Sequence, residues 1–184
     1  MLTTDRLRLR RWLPGDRAPF AALNADPEVM EHFPAVMSRQ DSDTLIDRIE
    51  AGFEERGFGL WALELAESGQ FIGFTGLSVP RFEAPFLPAV EIGWRLARPF
   101  WGHGYAAEAA RRSLAFAFDD LGLDEVLSFT ATTNTRSQSV MARIGMTHDP
   151  ADDFDHPSVP EGSPLRRHVL WRITAADWRR GTDR

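Results

Sequence analysis

Val90-Glu-Ile-Gly-Trp-Arg-Leu96 runs directly into Ala97-Arg-Pro-Phe-Trp-Gly-His-Gly-Tyr-Ala-Ala-Glu-Ala109, and the change of pattern between the two stretches decides the fold. Val90, Ile92, Trp94 and Leu96 alternate with Glu91, Gly93 and Arg95, which is the period of a strand. Arg98-Pro99 breaks that pattern, because proline has no N–H for a ladder and restricts the residue before it. Gly102 and Gly104 admit backbone conformations closed to other residues, and from Tyr105 the apolar period becomes helical. A glycine turn feeding a helix start aims several backbone N–H groups at one point, at the positive end of a helix dipole. Such a point is an anion site, and phosphate is its usual occupant.

Two common phosphate loops are excluded. The chain has no G-x-x-x-x-G-K-[ST] and no lysine anywhere, which removes a nucleotide-hydrolysing P-loop. The dinucleotide fingerprint fails as well. Ala107 stands at the third glycine position, which the looser form tolerates, but no acidic ribose-binding residue follows at the end of a second strand.

Outward from this segment the chain reads as one domain over residues 1–184. Strands are expected at 6–10, 58–65, 70–77, 89–96, 125–132 and 167–174. Helices are expected at 14–25, 39–56, from Tyr105 to about Leu121, and at 135–144, with a short helical turn at 27–31. The segments 78–88 and 149–166 read as loops, the second rich in proline and acid. The fold class is α+β (α/β): a central mixed, mostly antiparallel sheet of about seven strands flanked by helices. The hydrophobic fraction of 43% is that of a globular chain. A net charge of −6 argues against a nucleic-acid partner and suits a cationic or amine-bearing one. No apolar run reaches membrane-span length and no leader opens the chain, so a cytoplasmic protein with no membrane partner is expected. The absence of cysteine excludes disulfides, thiol nucleophiles and cysteine metal sites; no histidine pair has metal-binding spacing, so no metal is expected either.

The loop Trp101-Gly-His-Gly-Tyr-Ala106 resembles the pyrophosphate loop of the GNAT N-acetyltransferases, and W-G-x-G-Y-A-x-E-A after an E-I-G-W strand resembles their ribosomal-protein (RimJ/RimL-type) branch. The likeness extends along nearly the whole chain: Thr4-Asp-Arg-Leu-Arg-Leu-Arg-Arg11 as first strand, Asp16 opening the first helix, Asp26-Pro-Glu-Val-Met30 as the next turn. It continues with Asn134-x-x-Ser137 up to Gly145-Met146 as second cofactor motif, then His168-Val-Leu-Trp171 and Asp177-Trp178 as last strand and tail. Trp101 stands where many members of the superfamily carry Arg or Gln, but tryptophan is usual in this branch.

The resemblance implies acetyl-CoA as co-substrate, its diphosphate on the backbone of Gly102, His103, Gly104, Tyr105 and Ala106 with Trp101 alongside. The pantetheine arm would lie along Ile92, Gly93, Trp94, Arg95 and Leu96, as a mimic of a β-ladder. It also implies an amine-bearing acceptor, a small molecule or a protein N-terminus; a homodimer is open to the chain.

Acetyl transfer from a thioester to an amine needs an anchored cofactor, removal of an amine proton, a donor to the thioester oxygen, and a proton or donor for the departing thiolate. Glu91, on the strand face opposite Val90 and Ile92, is the candidate base if burial raises its pKa; its rival reading is a structural carboxylate holding an arginine or a loop. Asn134 is either a helix N-cap or a contact to the cofactor arm, and both only if capping leaves part of its side chain free. Tyr105, the single tyrosine, belongs to the diphosphate loop, which leaves Ser137 as donor to the thiolate. Glu108 reads as a helix-dipole partner. His156 and His168 could flank the acceptor; Asp152, Asp153 and Asp155 form an acidic run that is either solvated or draws a protonated amine. The expected function is direct acetyl transfer to a primary amine in a ternary complex. The alternatives are a coenzyme A-binding sensor or scaffold without turnover, and a nucleotide enzyme.

Overall fold

The computed structural model describes residues 1–182; the last two positions of the expected domain, 183 and 184, lie outside it. In chain order the elements are β1 (Leu2–Thr3), β2 (Leu7–Arg10), α1 (Arg17–Ala25), α2 (Arg39–Arg56), β3 (Leu60–Leu65), β4 (Phe71–Ser78), β5 (Glu91–Leu96) and α3 (Tyr105–Ala115). They continue with β6 (Glu125–Ala131), α4 (Thr135–Arg143), β7 (Thr147–His148), β8 (Phe154–Asp155), β9 (Arg167–Thr174) and α5 (Ala175–Thr182). The strands form one sheet in the order β1-β2-β3-β4-β5-β6-β9-β7, with β8 pairing β9 off this path. Every pair is antiparallel except β5–β6.

The sheet has nine strands among the described residues, more than the expected seven, because β1, β7 and β8 are two residues long and carry no alternation to read. The short helical turn expected at 27–31 is present as a run of turns, with Met30 N–H on the Asp26 carbonyl (3.0 Å). Two further expectations are corrected. The segment 149–166 is not a plain loop, since it holds a 3-10 turn at Pro150–Asp152 and the strand β8. The helix from Tyr105 is α-helical only to Ala115; Phe116–Asp120 widens to π geometry, closed by Leu121 N–H on the Phe116 carbonyl (3.0 Å).

The two faces of the sheet have different companions. Phe20 of α1 packs on Phe74 (5.9 Å between ring centroids), and Asn24 of α1 accepts from Arg95 (2.6 Å). Since Phe74 faces Arg95 across β4–β5, α1 covers the face that carries Glu91, Gly93 and Arg95. On the other face Phe116, beyond α3, packs on Trp61 (5.3 Å), and Asn134 at the start of α4 bonds Thr130 (2.9 Å). The core cluster includes Leu7, Leu9, Phe20, Leu63, Ile72, Leu77, Ile92, Leu114 and Val126. Asp16 sits in the 3-10 turn leading into α1 and is itself buried, taking both Nη atoms of Arg10 (2.7 and 2.9 Å) and the N–H of Leu13 (2.8 Å). Removing one partner of such a buried pair costs about 3–5 kcal/mol, so Asp16 fixes the entry of the first helix. Among the described residues no helix is long and apolar enough to cross a membrane.

Candidate active site

The central feature is a split in the sheet. β5 pairs with β4 along six residues, from Ser78 opposite Glu91 to Gly73 opposite Leu96. With β6 it pairs only at Glu91 and Leu127, where Leu127 N–H meets the Val90 carbonyl (2.9 Å). Past that point the parallel strands diverge, and Ser128 Oγ reaches the Ile92 carbonyl (2.9 Å) at the base of the gap. A strand with one edge unpaired offers N–H and C=O groups to an extended, amide-bearing chain. Ile92, Gly93, Trp94, Arg95 and Leu96, singled out from sequence, form that edge, and Leu96 also accepts from Trp101 Nε1 (2.8 Å).

At the far end of β5 the loop turns through a 3-10 segment, Arg98–Phe100, into α3. Gly102 and Gly104 have φ of 79° and 81°, the left-handed region that favours glycine. A Cβ on Gly102 would meet nothing within 4 Å, so its φ, not crowding, is what calls for glycine there. After Trp101, the first backbone N–H to find a protein carbonyl is that of Glu108, on Gly104 (3.1 Å). The N–H groups of Gly102, His103, Gly104, Tyr105 and Ala106 are therefore left for a ligand at the positive end of α3, which is the composition of a diphosphate cradle. Their side chains play other parts: His103 stacks on Tyr105 (5.5 Å), whose ring lies under Arg6 (4.7 Å). A cavity of about 670 Å³ flanks the loop, lined by Arg6, Arg111, Arg112 and Arg143 together with Asp5 and Glu108, so that arginines outnumber carboxylates along its wall.

Glu108 is a clamp as well as a dipole partner. It accepts from Thr4 Oγ1 (2.5 Å), Arg6 N–H (3.2 Å) and Arg6 Nε (2.7 Å), tying the N-terminal segment to the start of α3. Partial burial alone would raise its pKa; those hydrogen bonds outweigh it and hold the carboxyl below its ordinary value.

Glu91 stands where the split begins. Its carboxylate receives one hydrogen bond, from Ser78 Oγ at 3.3 Å, and pairs with no arginine among the described residues. Desolvation pushes its pKa up to about 8, against the weak opposing effect of Ser78. The residue keeps some surface although its carboxylate is packed round by protein. No arginine among the described residues supports the arginine-holding reading, while the bond to Ser78, where the segment 79–90 begins, keeps the loop-holding reading beside that of a carboxyl of raised pKa. Farther along the same face Arg95 is also without a carboxylate. It donates to Asn24 Oδ1 and lies over Phe33 (4.2 Å) and Phe74 (5.4 Å); its Nε has no partner, and desolvation lowers its pKa to about 10.

Asn134 does cap α4, with Oδ1 accepting from Ser137 N–H (3.1 Å), while Nδ2 donates to Thr130 Oγ1 (2.9 Å). One lone pair and one N–H of its amide remain, so capping and a ligand contact are compatible. The Ser137 hydroxyl, half-buried in the first turn of α4, has no hydrogen-bond partner among the described residues. The turn region before α2 is strapped to this end of the site: Glu31 pairs with Arg136 (2.7 Å), whose guanidinium lies over Trp101 (4.5 Å), and His32 Nδ1 meets Thr133 Oγ1 (3.3 Å).

The acidic run is paired, although Asp155 stays exposed to solvent. Asp152 pairs with Arg172 (2.8 Å), Asp153 with His148 (2.7 Å), and Asp155 with Arg167 (3.4 Å) and Arg166 (3.6 Å), which leaves no spare carboxylate there to draw an amine. Sequence reasoning missed the strap, the isolation of Arg95, and the hydroxyl of Ser78. All three depend on contacts between residues far apart in the chain, and no local spacing announces them.

A sheet split beside a parallel pair, with an open strand edge running to a left-handed glycine turn at a helix N-terminus, is the candidate site of this fold. Residues 6–147 match the acetyltransferase (GNAT) domain family, and the chain belongs to it. Over 132 residues it is 39% identical to the FsC-acetyl coenzyme A-N(2)-transacetylase of Aspergillus fumigatus, a match covering 67% of this chain and 53% of that protein, so the chain spans about half the length of that relative. Among solved structures, an acetyltransferase from Agrobacterium tumefaciens superposes with a TM-score of 0.75 at 28% identity, covering 94% and 92% of the two chains. Mycobacterium smegmatis RimJ, in complex with CoA-disulfide, shares the fold at a TM-score of 0.72 and 20% identity, covering 92% and 82%.

Proposed function

We propose that the protein transfers the acetyl group of acetyl-CoA to the nitrogen of a primary amine by direct attack within a ternary complex, in the cytoplasm. The observation that carries this reading is the placement of Glu91, an unpaired carboxyl of raised pKa, at the point where β5 and β6 part. The cradle of Gly102, His103, Gly104, Tyr105 and Ala106 fits the diphosphate, and the unpaired edge of β5 fits the amides of the pantetheine arm. The arginine wall suits the remaining phosphate of coenzyme A. When bound, acetyl-CoA supplies the activated acyl group. Glu91, with Ser78 beside it, takes a proton from the bound ammonium to free the nucleophilic amine, or from the neutral amine as its nitrogen attacks, directly or through one water. Ser137 and the N-terminal turn of α4 face the developing negative charge on sulfur.

The chain contains no cysteine to form an acyl-enzyme, which favours direct transfer. The RimJ/RimL likeness of the W-G-x-G-Y-A loop keeps a protein N-terminus among the acceptors, beside small-molecule amines. The reading is tested by thiol release from acetyl-CoA in the presence of a panel of primary amines. Amine-dependent release supports it. Coenzyme A binding with no amine-dependent release in any member would leave a sensor of the same fold.

A further inference from the structure

The acceptor side of the split carries a second built feature, made of rings. Phe82 and Phe86 come from the segment between β4 and β5, Phe129 from β6, Phe154 from β8, His156 from just beyond it, and His168 from β9. They form one nest: Phe82 lies 4.5 Å from His156, Phe86 4.8 Å from Phe154, Phe129 5.5 Å from Phe154, and His156 4.9 Å from His168, between ring centroids. The pleat puts the nest beside Glu91. Leu127 is opposite Glu91, Phe129 is the next residue of β6 on that face, His168 is opposite Ala131, and Phe154 is opposite His168. Gly93, as far along β5 from Glu91 as Phe129 is along β6 from Leu127, has nothing within 4 Å of where a Cβ would stand. The floor between the carboxyl and the rings is open.

The nest is apolar in charge as well as in shape. All four phenylalanines are only half-buried, although each touches several rings. Desolvation first, then the neighbouring His168, lowers the pKa of His156; desolvation lowers that of His168 against a bond to the Arg166 carbonyl. Both imidazoles are thereby shifted toward their neutral form. The nearby aspartates are held by Arg166, Arg167, Arg172 and His148, and Glu83, next to Phe82, is exposed. Glu83 at the rim is the one carboxylate near the rings without a cation partner among the described residues, and it does not line the nest; what the nest itself offers is ring edges and faces, to an apolar group.

We propose that this nest receives the body of the acceptor, and that the acceptor is a primary amine carrying an aromatic group a few bonds from its nitrogen. The inference rests on the acetyl-transfer reading above, with Glu91 at the amine and the rings at the other end. One methylene in an apolar pocket discriminates by roughly 10- to 200-fold, and a phenyl ring buries several times more surface.

The test compares kcat/KM for 2-phenylethylamine, ethylamine and spermidine with acetyl-CoA on the full chain, for wild type, Phe82→Ala and Phe82→Leu. Expected is a preference of about 100-fold or more for 2-phenylethylamine over both other amines. Phe82→Ala should cut its kcat/KM roughly tenfold more than that of ethylamine, with Phe82→Leu between the two. The leucine variant keeps volume in the nest and serves alone if the alanine variant does not fold. Equal kcat/KM for the three amines, a preference for spermidine, or equal losses on the two monoamines overturns the proposal while leaving acetyl transfer intact. No turnover with any amine, while coenzyme A binds by calorimetry, overturns both.

Discussion

The two sides of the split sheet are built in opposite ways. The cofactor side is backbone: one continuous run from Glu91 to Ala107 supplies a strand edge, a left-handed turn and a helix N-terminus, and the identities of most side chains there serve the chain's own packing. The acceptor side is side chains, gathered from β4, the segment after it, β5, β6, β8 and β9. A backbone site tolerates sequence change wherever φ and approach are kept, so it suits a part of the reaction that does not vary. A side-chain site changes with every substitution, so it suits the part that distinguishes one acceptor from another. This division makes different substitutions fail in different assays.

The largest effect is expected on the backbone side. Gly104→Val puts a β-branched residue at φ 81°, a conformation costing such residues roughly 1–2 kcal/mol or more, and brings a Cβ to 3.7 Å from Arg6 Nη2 beside the loop. Coenzyme A affinity measured by calorimetry should fall by about 100-fold or more, with the amine preference of the residual activity unchanged. Full affinity would remove the diphosphate from this loop. Ser137→Ala comes next. Chemistry, isolated in single-turnover experiments, should slow by roughly 10- to 10⁴-fold with little change in coenzyme A affinity. The loss should shrink with an acyl donor whose thiol leaves more easily. A wild-type rate with the natural donor would assign the thiolate proton elsewhere.

What the sequence made legible follows the same division. Alternation from Val90 to Leu96 and the Gly-x-Gly that follows are local, and local rules of pleat and φ place them correctly. Asn134 as an N-cap is local too, and its amide caps Ser137 as expected. The π turn at Phe116–Asp120 is not, because one extra residue in a helical turn leaves the apolar stripe almost intact. β8, two residues long, exists only through its pairing with β9, so the prolines and aspartates of 149–166 spell a loop. The acidic run looked available because its partners, Arg172 and His148, lie outside it in the sequence. Glu91 could be named from its place in the pattern. Its state could not, since the pKa is raised by desolvating surroundings from distant parts of the chain and only weakly opposed by Ser78, thirteen positions earlier.

The account turns on Glu91, and the pH dependence of kcat in the ternary complex tests it most directly. A base of pKa about 8 is mostly protonated at pH 6 and mostly ionised at pH 9, so the wild-type rate should rise through about pH 8 and then level off. Free alkylamines titrate near 10, so any limb set by the acceptor itself lies higher. Glu91→Gln should lower kcat by roughly 10²-fold or more at pH 8, abolish the limb near pH 8, and leave coenzyme A affinity nearly as it was. A Glu91→Gln enzyme that retains both the wild-type rate and the same rising limb would contradict the account, and would move the proton to another group.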